Sequence, residues 1–129
     1  PGAPGAKGDK GDKGEPGDIG LIAKTITIQF SGEFGETNLN HQLTTLFEVS
    51  ASQPIRLRGY VSQTAREQDK LREAYLQPSV PGILFDIVLD VGNLTWKLAP
   101  QVLLSKQPLF LLMNNIASPT QSIINLMGI

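Results

Sequence analysis

The stretch that decides the fold is residues 83–99, ILFDIVLDVGNLTWKLA. Ile83, Phe85, Ile87, Leu89 and Val91 are apolar at every second position, and Leu94, Trp96 and Leu98 continue that alternation beyond a Gly92-Asn93 dipeptide. Period-two alternation marks a strand with one buried face, and a two-residue loop rich in glycine and asparagine marks a tight primed turn. The spacing predicts a hairpin pairing Val91 with Leu94, Leu89 with Trp96 and Ile87 with Leu98. Gly92 and Asn93 form its turn, and Trp96, on the apolar phase, is expected in the core rather than as a sugar-stacking platform.

The same period recurs outward from this stretch. In LIAKTITIQF (21–30), Ile22, Ile26, Ile28 and Phe30 are apolar while Thr25, Thr27 and Gln29 are polar, with Lys24 interrupting. Phe47, Val49 and Ala51 alternate, as do Ile55 and Leu57 with Arg56 and Arg58 between them. PLFLLMNN (108–115) and SIINLMGI (122–129) are short apolar runs bounded by proline and asparagine, as buried strands are. Residues 21–129 therefore read as one all-β domain, an antiparallel β-sandwich of which a jelly roll is one form, long enough to bury its own core.

One stretch is ambiguous. In SQTAREQDKLREAYLQP (62–78), Thr64 and Glu67 fit a capping box, Leu71 and Tyr75 are four apart, and Pro78 would stop a helix near Gln77. Residues 64–77 can also be a loop. The longer segment 55–101, IRLRGYVSQTAREQDKLREAYLQPSVPGILFDIVLDVGNLTWKLAPQ, resembles a β-sandwich domain common in virion proteins of tailed bacteriophages, such as tail and head fibres. The resemblance rests on an Arg-rich strand, Ile55 to Tyr60, then Ala65, Arg66, Asp69 and Arg72, a second strand from Ile83 to Val91, and Leu94, Trp96 and Pro100. Glu67, Lys70 and Glu73 depart from it in charge. It implies a loop fixed by an ion network of Arg66, Asp69 and Arg72, because guanidinium groups bind carboxylates bidentately. The alternative is a solvated charged helix face.

Residues 1–20 follow another rule. PGAPGAKGDKGDKGEPGDIG places glycine at Gly2, Gly5, Gly8, Gly11, Gly14, Gly17 and Gly20 without a register error. Three polyproline-II chains wound together admit only glycine at their common axis, and a flexible linker has no reason to keep that period. Acids and bases are sorted within the triplets: Lys7-Gly8-Asp9, Lys10-Gly11-Asp12 and Lys13-Gly14-Glu15 set each lysine within reach of an acid on a staggered neighbour. Each exposed pair contributes about 0.2–1 kcal/mol. A collagen-like stalk over 1–20 requires three chains, so a homotrimer is expected. A rod on the order of 60 Å needs a clamp to raise the effective concentration of its strands, a part the head at 21–129 can play. The period is already running at Pro1, so a longer chain is expected to precede it and to join other virion proteins.

Composition narrows the function classes. Of eleven basic and twelve acidic residues, three and four fall in the stalk, leaving eight of each in the head. A neutral head gives no electrostatic reason to expect nucleic acid or an anionic membrane as partner. No apolar run approaches the ~20 residues of a membrane-spanning helix. The absence of cysteine excludes disulfides and thiolate metal sites. His41, the sole histidine, reads as a loop residue. Asp86 and Asp90 share a strand face about 13 Å apart, too far for one metal or one shared proton. Glu33 and Glu36 are too few ligands for calcium. No catalytic set, metal or cofactor is expected.

These readings lead to a non-enzymatic virion component: a trimeric phage fibre whose head positions or binds the host surface, with bacterial surface glycan as a receptor class and loop residues such as Asn38, Asn40 and His41 as candidate contacts. The alternatives are a capsid decoration or head fibre, and a bacterial collagen-like surface adhesin. Complement-type and tumour-necrosis-type heads also follow collagen stalks, but those are aromatic-rich jelly rolls, and this chain has eight aromatic residues.

Overall fold

A computed structural model describes residues 23–40, 42–104, 107–117 and 120–129. The stalk at 1–20, with its glycines and its lysine–acid steps, and His41 lie outside the described residues. The described chain forms β1 (Lys24–Phe30), β2 (Phe34–Leu39), β3 (Thr45–Ala51), β4 (Ile55–Tyr60), α1 (Gln63–Asp69), β5 (Ile83–Leu89), β6 (Thr95–Leu103), β7 (Leu109–Asn115) and β8 (Ser122–Gly128). The strands make two four-stranded antiparallel sheets, in the orders β1-β8-β3-β6 and β2-β7-β4-β5.

The expected antiparallel β-sandwich is therefore the architecture. Apart from β4 and β5, which share a sheet and are joined through α1, consecutive strands alternate between sheets. That order is the one produced by rolling up two Greek keys, a jelly roll. It is built here with few aromatic residues: the layer between the sheets is filled chiefly by leucine and isoleucine, among them Leu46, Ile55, Leu57, Leu89, Leu109, Leu111, Ile124 and Leu126, all without exposure.

The turn after β5 differs from the expected hairpin. Asp90 and Asn93 close it, with Asn93 N donating to Asp90 O at 2.8 Å and Asp90 N to Asn93 O at 3.2 Å, so Val91 and Gly92 are the loop residues in place of Gly92 and Asn93. Pairing stops at that bridge. Leu89 pairs with Ile55 on β4, whereas Trp96 pairs with Val49 on β3 in the other sheet. A strand that crosses from one sheet to the other keeps its apolar phase toward the same core, so conserved phase cannot separate a crossover from a hairpin. Trp96 lies on that phase but near the end of edge strand β6, and is 42 % exposed rather than in the core.

The two ends of the sandwich differ. Lys24 and Leu46 both pair with Gly128, and Thr45 with Leu103, at the end where residue 23 joins β1. The turns at 31–33, 52–54 and 90–94 lie at the opposite, distal end, together with residues 116–117 and 120–121. There the buried Asn115 amide donates to Gly32 O and Thr120 O, both at 2.8 Å, and its oxygen accepts from Gln53 at 2.9 Å, fastening three turns together. At the first end β8 passes so close to β3 that a methyl on Gly128 would run into the Thr45 carbonyl. Gly128→Ala should cost about 1–3 kcal/mol in urea denaturation, the range for an overpacked site, whereas Gly92→Ala, with open space around it, should stay within about 0.5 kcal/mol.

Candidate functional site

Every residue of β4 is buried, which no strand with one wet face can be. Ile55 and Leu57 face the core, and Arg56, Arg58 and Tyr60 face outward beneath α1 and the following loop. Tyr60 sits with Ala65 and Leu112 in a small apolar cluster edged by Phe34, Ile83 and Phe110.

The helix that covers this face begins at Ser62, whose extended backbone and side-chain oxygen cap it, accepting from Ala65 N at 3.1 Å. The cap thus lies two residues before Thr64, and the helix ends at Asp69 rather than near Gln77. Within it Ala65, Arg66 and Asp69 are buried. Arg66 turns toward β2 and β7: it donates to Asn38 Oδ1 at 2.8 Å and to the Thr37 and Leu111 carbonyls at 3.3 Å. It approaches Glu36 at 3.7 Å and lies over the Phe110 ring at 5.6 Å.

Asp69 and Arg72 turn toward β4 and β5. Arg72 grips Asp69 with two donors, Nε at 2.7 Å and Nη2 at 2.9 Å, and the same Nη2 reaches Asp86 at 2.8 Å. Arg56 binds Asp86 bidentately at 2.9 and 2.7 Å, and Tyr60 donates to Asp69 at 2.6 Å. Of the three residues expected to form one ion network, Asp69 and Arg72 are bonded directly, while Arg66 anchors the other side of the helix. The sequence reading missed Arg56, Arg58, Tyr60 and Asp86, because polar residues alternating with apolar ones look like a solvated strand face. The signal available was chemical: two arginines on one strand face, with two aspartates and a third arginine nearby, form a set whose opposite charges can pair.

The remaining guanidinium donors fix the backbone of the loop. Arg58 donates to Asp69 O at 2.9 Å and Lys70 O at 3.3 Å, Arg56 to Arg72 O at 2.8 Å, and Arg72 to Leu76 O at 2.8 Å. Arg58 also bonds Asn114 Oδ1 at 2.9 Å. Residues 70–76 carry no regular structure, yet side chains meet three of their carbonyls and that of the adjoining Asp69. The same loop presents Leu71, 84 % exposed, to solvent. A cavity of about 490 Å³ opens between it and the sheet, lined by Phe34, Arg56, Arg58, Leu71, Arg72 and Ile116 among others.

The electrostatics favour a cluster that is ionised at neutral pH. Burial pushes both carboxyls toward neutrality, but hydrogen bonds from Arg72 and Tyr60 to Asp69, and from Arg56 and Arg72 to Asp86, hold both below the usual carboxylate range. Burial and the bond to Asp69 raise the Tyr60 phenol, and the hydrogen bonds that Arg72 donates to Asp69 raise the Arg72 guanidinium further above its ordinary value. Both carboxylates are occupied by donors, and the arrangement does the work of a clamp. Elsewhere, Asp90 accepts from Val91 N within its turn, and Glu36 faces Lys70 and Arg66. Among the described residues no group of three His, Cys, Asp or Glu could hold a metal ion. No protein-family model, curated protein or solved structure matches the chain.

Because both aspartates have folded values below their unfolded ones, the clamp contributes fully above the ordinary carboxylate value of about 3.9 and is lost as pH falls through the lower folded values. Urea midpoints should therefore drop below about pH 4. Asp69→Asn should cost about 3–5 kcal/mol at pH 7, since it leaves buried arginine charge uncompensated, and should flatten that acid limb.

Proposed function

We propose that the chain is a non-enzymatic structural and binding component of a bacteriophage virion: a trimeric fibre in which a collagen-like stalk, residues 1–20, carries three sandwich heads, residues 21–129, that meet the bacterial surface. The observation that carries this reading is glycine at seven consecutive third positions, since that period has a physical use only where three chains share an axis. A trimer turns a weak contact at each head into avidity without needing a deep pocket.

The geometry of the head supports the reading in two ways. The stretch resembling phage virion domains spans β4, α1, β5 and β6, and its Asp69 and Arg72 act together to hold a loop. Residue 23, which leads from the stalk, lies at one end of the sandwich, and the turns fastened by Asn115 lie at the other. Near that distal end Val91 is 78 %, Ile116 53 % and Trp96 42 % exposed, a set of apolar side chains on a rigid support. An exposed indole on such a support suits the apolar face of a sugar ring.

Light scattering on the intact chain should give three times the chain mass, and the protein should bind cells or purified surface polysaccharide of its host saturably. Trp96 is the chain's one tryptophan, so titration with that polysaccharide should shift its emission, and Trp96→Ala should weaken binding tenfold or more without changing the mass. A trimer that binds no cell or glycan would move the assignment to a capsid decoration, and a monomer would overturn the fibre reading.

A further inference from the structure

The two sheets are covered unequally. The second sheet has the core on one face and α1 with its loop on the other, whereas nothing among the described residues lies over the outer face of the first. Residues paired across antiparallel strands point to the same side, so the register defines that face. Thr27, Asn125, Ser50 and Thr95 form its central row, with Met127 and Ile123 to either side of Asn125 along β8. Among the described residues of these rows Glu48 and Lys97 are the charged ones, and they are partners across β3 and β6. Thr27 and Asn125 already bond each other at 2.7 Å. A face of threonine, serine, asparagine and partly exposed isoleucine is depleted in charge as the centres of protein interfaces are.

The position of the stalk says what covers it. β1 is an edge strand of this sheet and begins four residues after Gly20. An extended chain spans at most ~3.6 Å per residue, so each Lys24 lies within roughly 14 Å of its own Gly20. Three chains sharing one stalk axis therefore bring three β1 strands, and the sheet that contains them, close together. We propose that the outer face of the first sheet, centred on Thr27 and Asn125, is where each head meets a second copy of this chain, leaving the arginine-clamped loop on the outside of the trimer. The inference rests on the trimeric reading above.

The test uses the full 129-residue chain. Thr27→Arg with Ile123→Arg places charge at two exposed positions of the face and should reduce the mass by light scattering to one third, with the circular dichroism of the folded head retained. Leu71→Arg on the clamped loop should remain trimeric. A double variant that stays trimeric, or a Leu71→Arg protein that dissociates, overturns the assignment of the face while leaving the trimer standing. A monomeric parent chain overturns the trimer itself. Because the chain has no cysteine, spin labels on Thr27→Cys or Leu71→Cys give a second readout that tolerates an unstable double variant. Distances among the three Thr27 labels should be shorter than those among the three Leu71 labels, and the reverse order overturns the proposal.

Discussion

The outer half of the head depends on one guanidinium. Through Nη2 the Arg72 side chain joins Asp69, at the end of α1, to Asp86, on strand β5. Its own carbonyl accepts from Arg56, which in turn binds Asp86. The ring of contacts closes helix, loop and sheet on one another. Arg56 and Arg58 are 6 % and 1 % exposed, so their charges were removed from water on folding, at a cost of several kcal/mol per ion before pairing. Carboxylates offset that cost at one set of donors. Most of the others reach backbone carbonyls that a loop without regular structure would otherwise leave to solvent. The same bonds that make the buried arginines tolerable give residues 70–76 a fixed path.

This arrangement also explains why β4 is buried throughout while β1 and β6, edge strands of the other sheet, are mostly exposed on their outer faces. A sandwich needs one buried face per sheet. The second sheet has a second one because the excursion between β4 and β5 folds back over it instead of making a short hairpin. Its price is two unpaired donors, Arg58 Nε and Arg66 Nε, on the two sides of the helix. Their isolation shows that the cluster is satisfied at most of its atoms, not all, as expected where several planar forks must fit one space.

Sequence periodicity made the strands legible because alternation is a property of each strand by itself. It placed Ile26, Ile28, Val49, Leu57 and Ile87 on core-facing phases. It failed where the outcome depends on which sheet a strand joins: the phase of Leu89 and Leu98 is correct, yet they face each other's layer from opposite sheets. It failed again at Arg56 and Arg58, since a polar residue on the outer phase is either wet or covered, and only the fold of residues 62–82 decides. Asp69 and Arg72 were expected to pair only through the resemblance carried by segment 55–101, not through any periodicity. Their partners Tyr60 and Asp86 sit on the strands before and after the helix and its loop, so only the folding of that excursion over the sheet brings them together.

A jelly roll by itself assigns no activity, since the same topology carries unrelated functions. What distinguishes this one is how its surfaces are divided. The chain covers one sheet with its own helix and spends most of its buried charge in doing so. The other sheet has a face low in charge and is the one continuous with the glycine-periodic segment. A head that had to face water on all sides would gain from the opposite distribution, with charge on the open sheet and apolar residues under the helix. The observed distribution suits a subunit in which one sheet meets neighbouring copies and the other must stay rigid without them, because a loop held by internal ion pairs needs no partner to keep its shape.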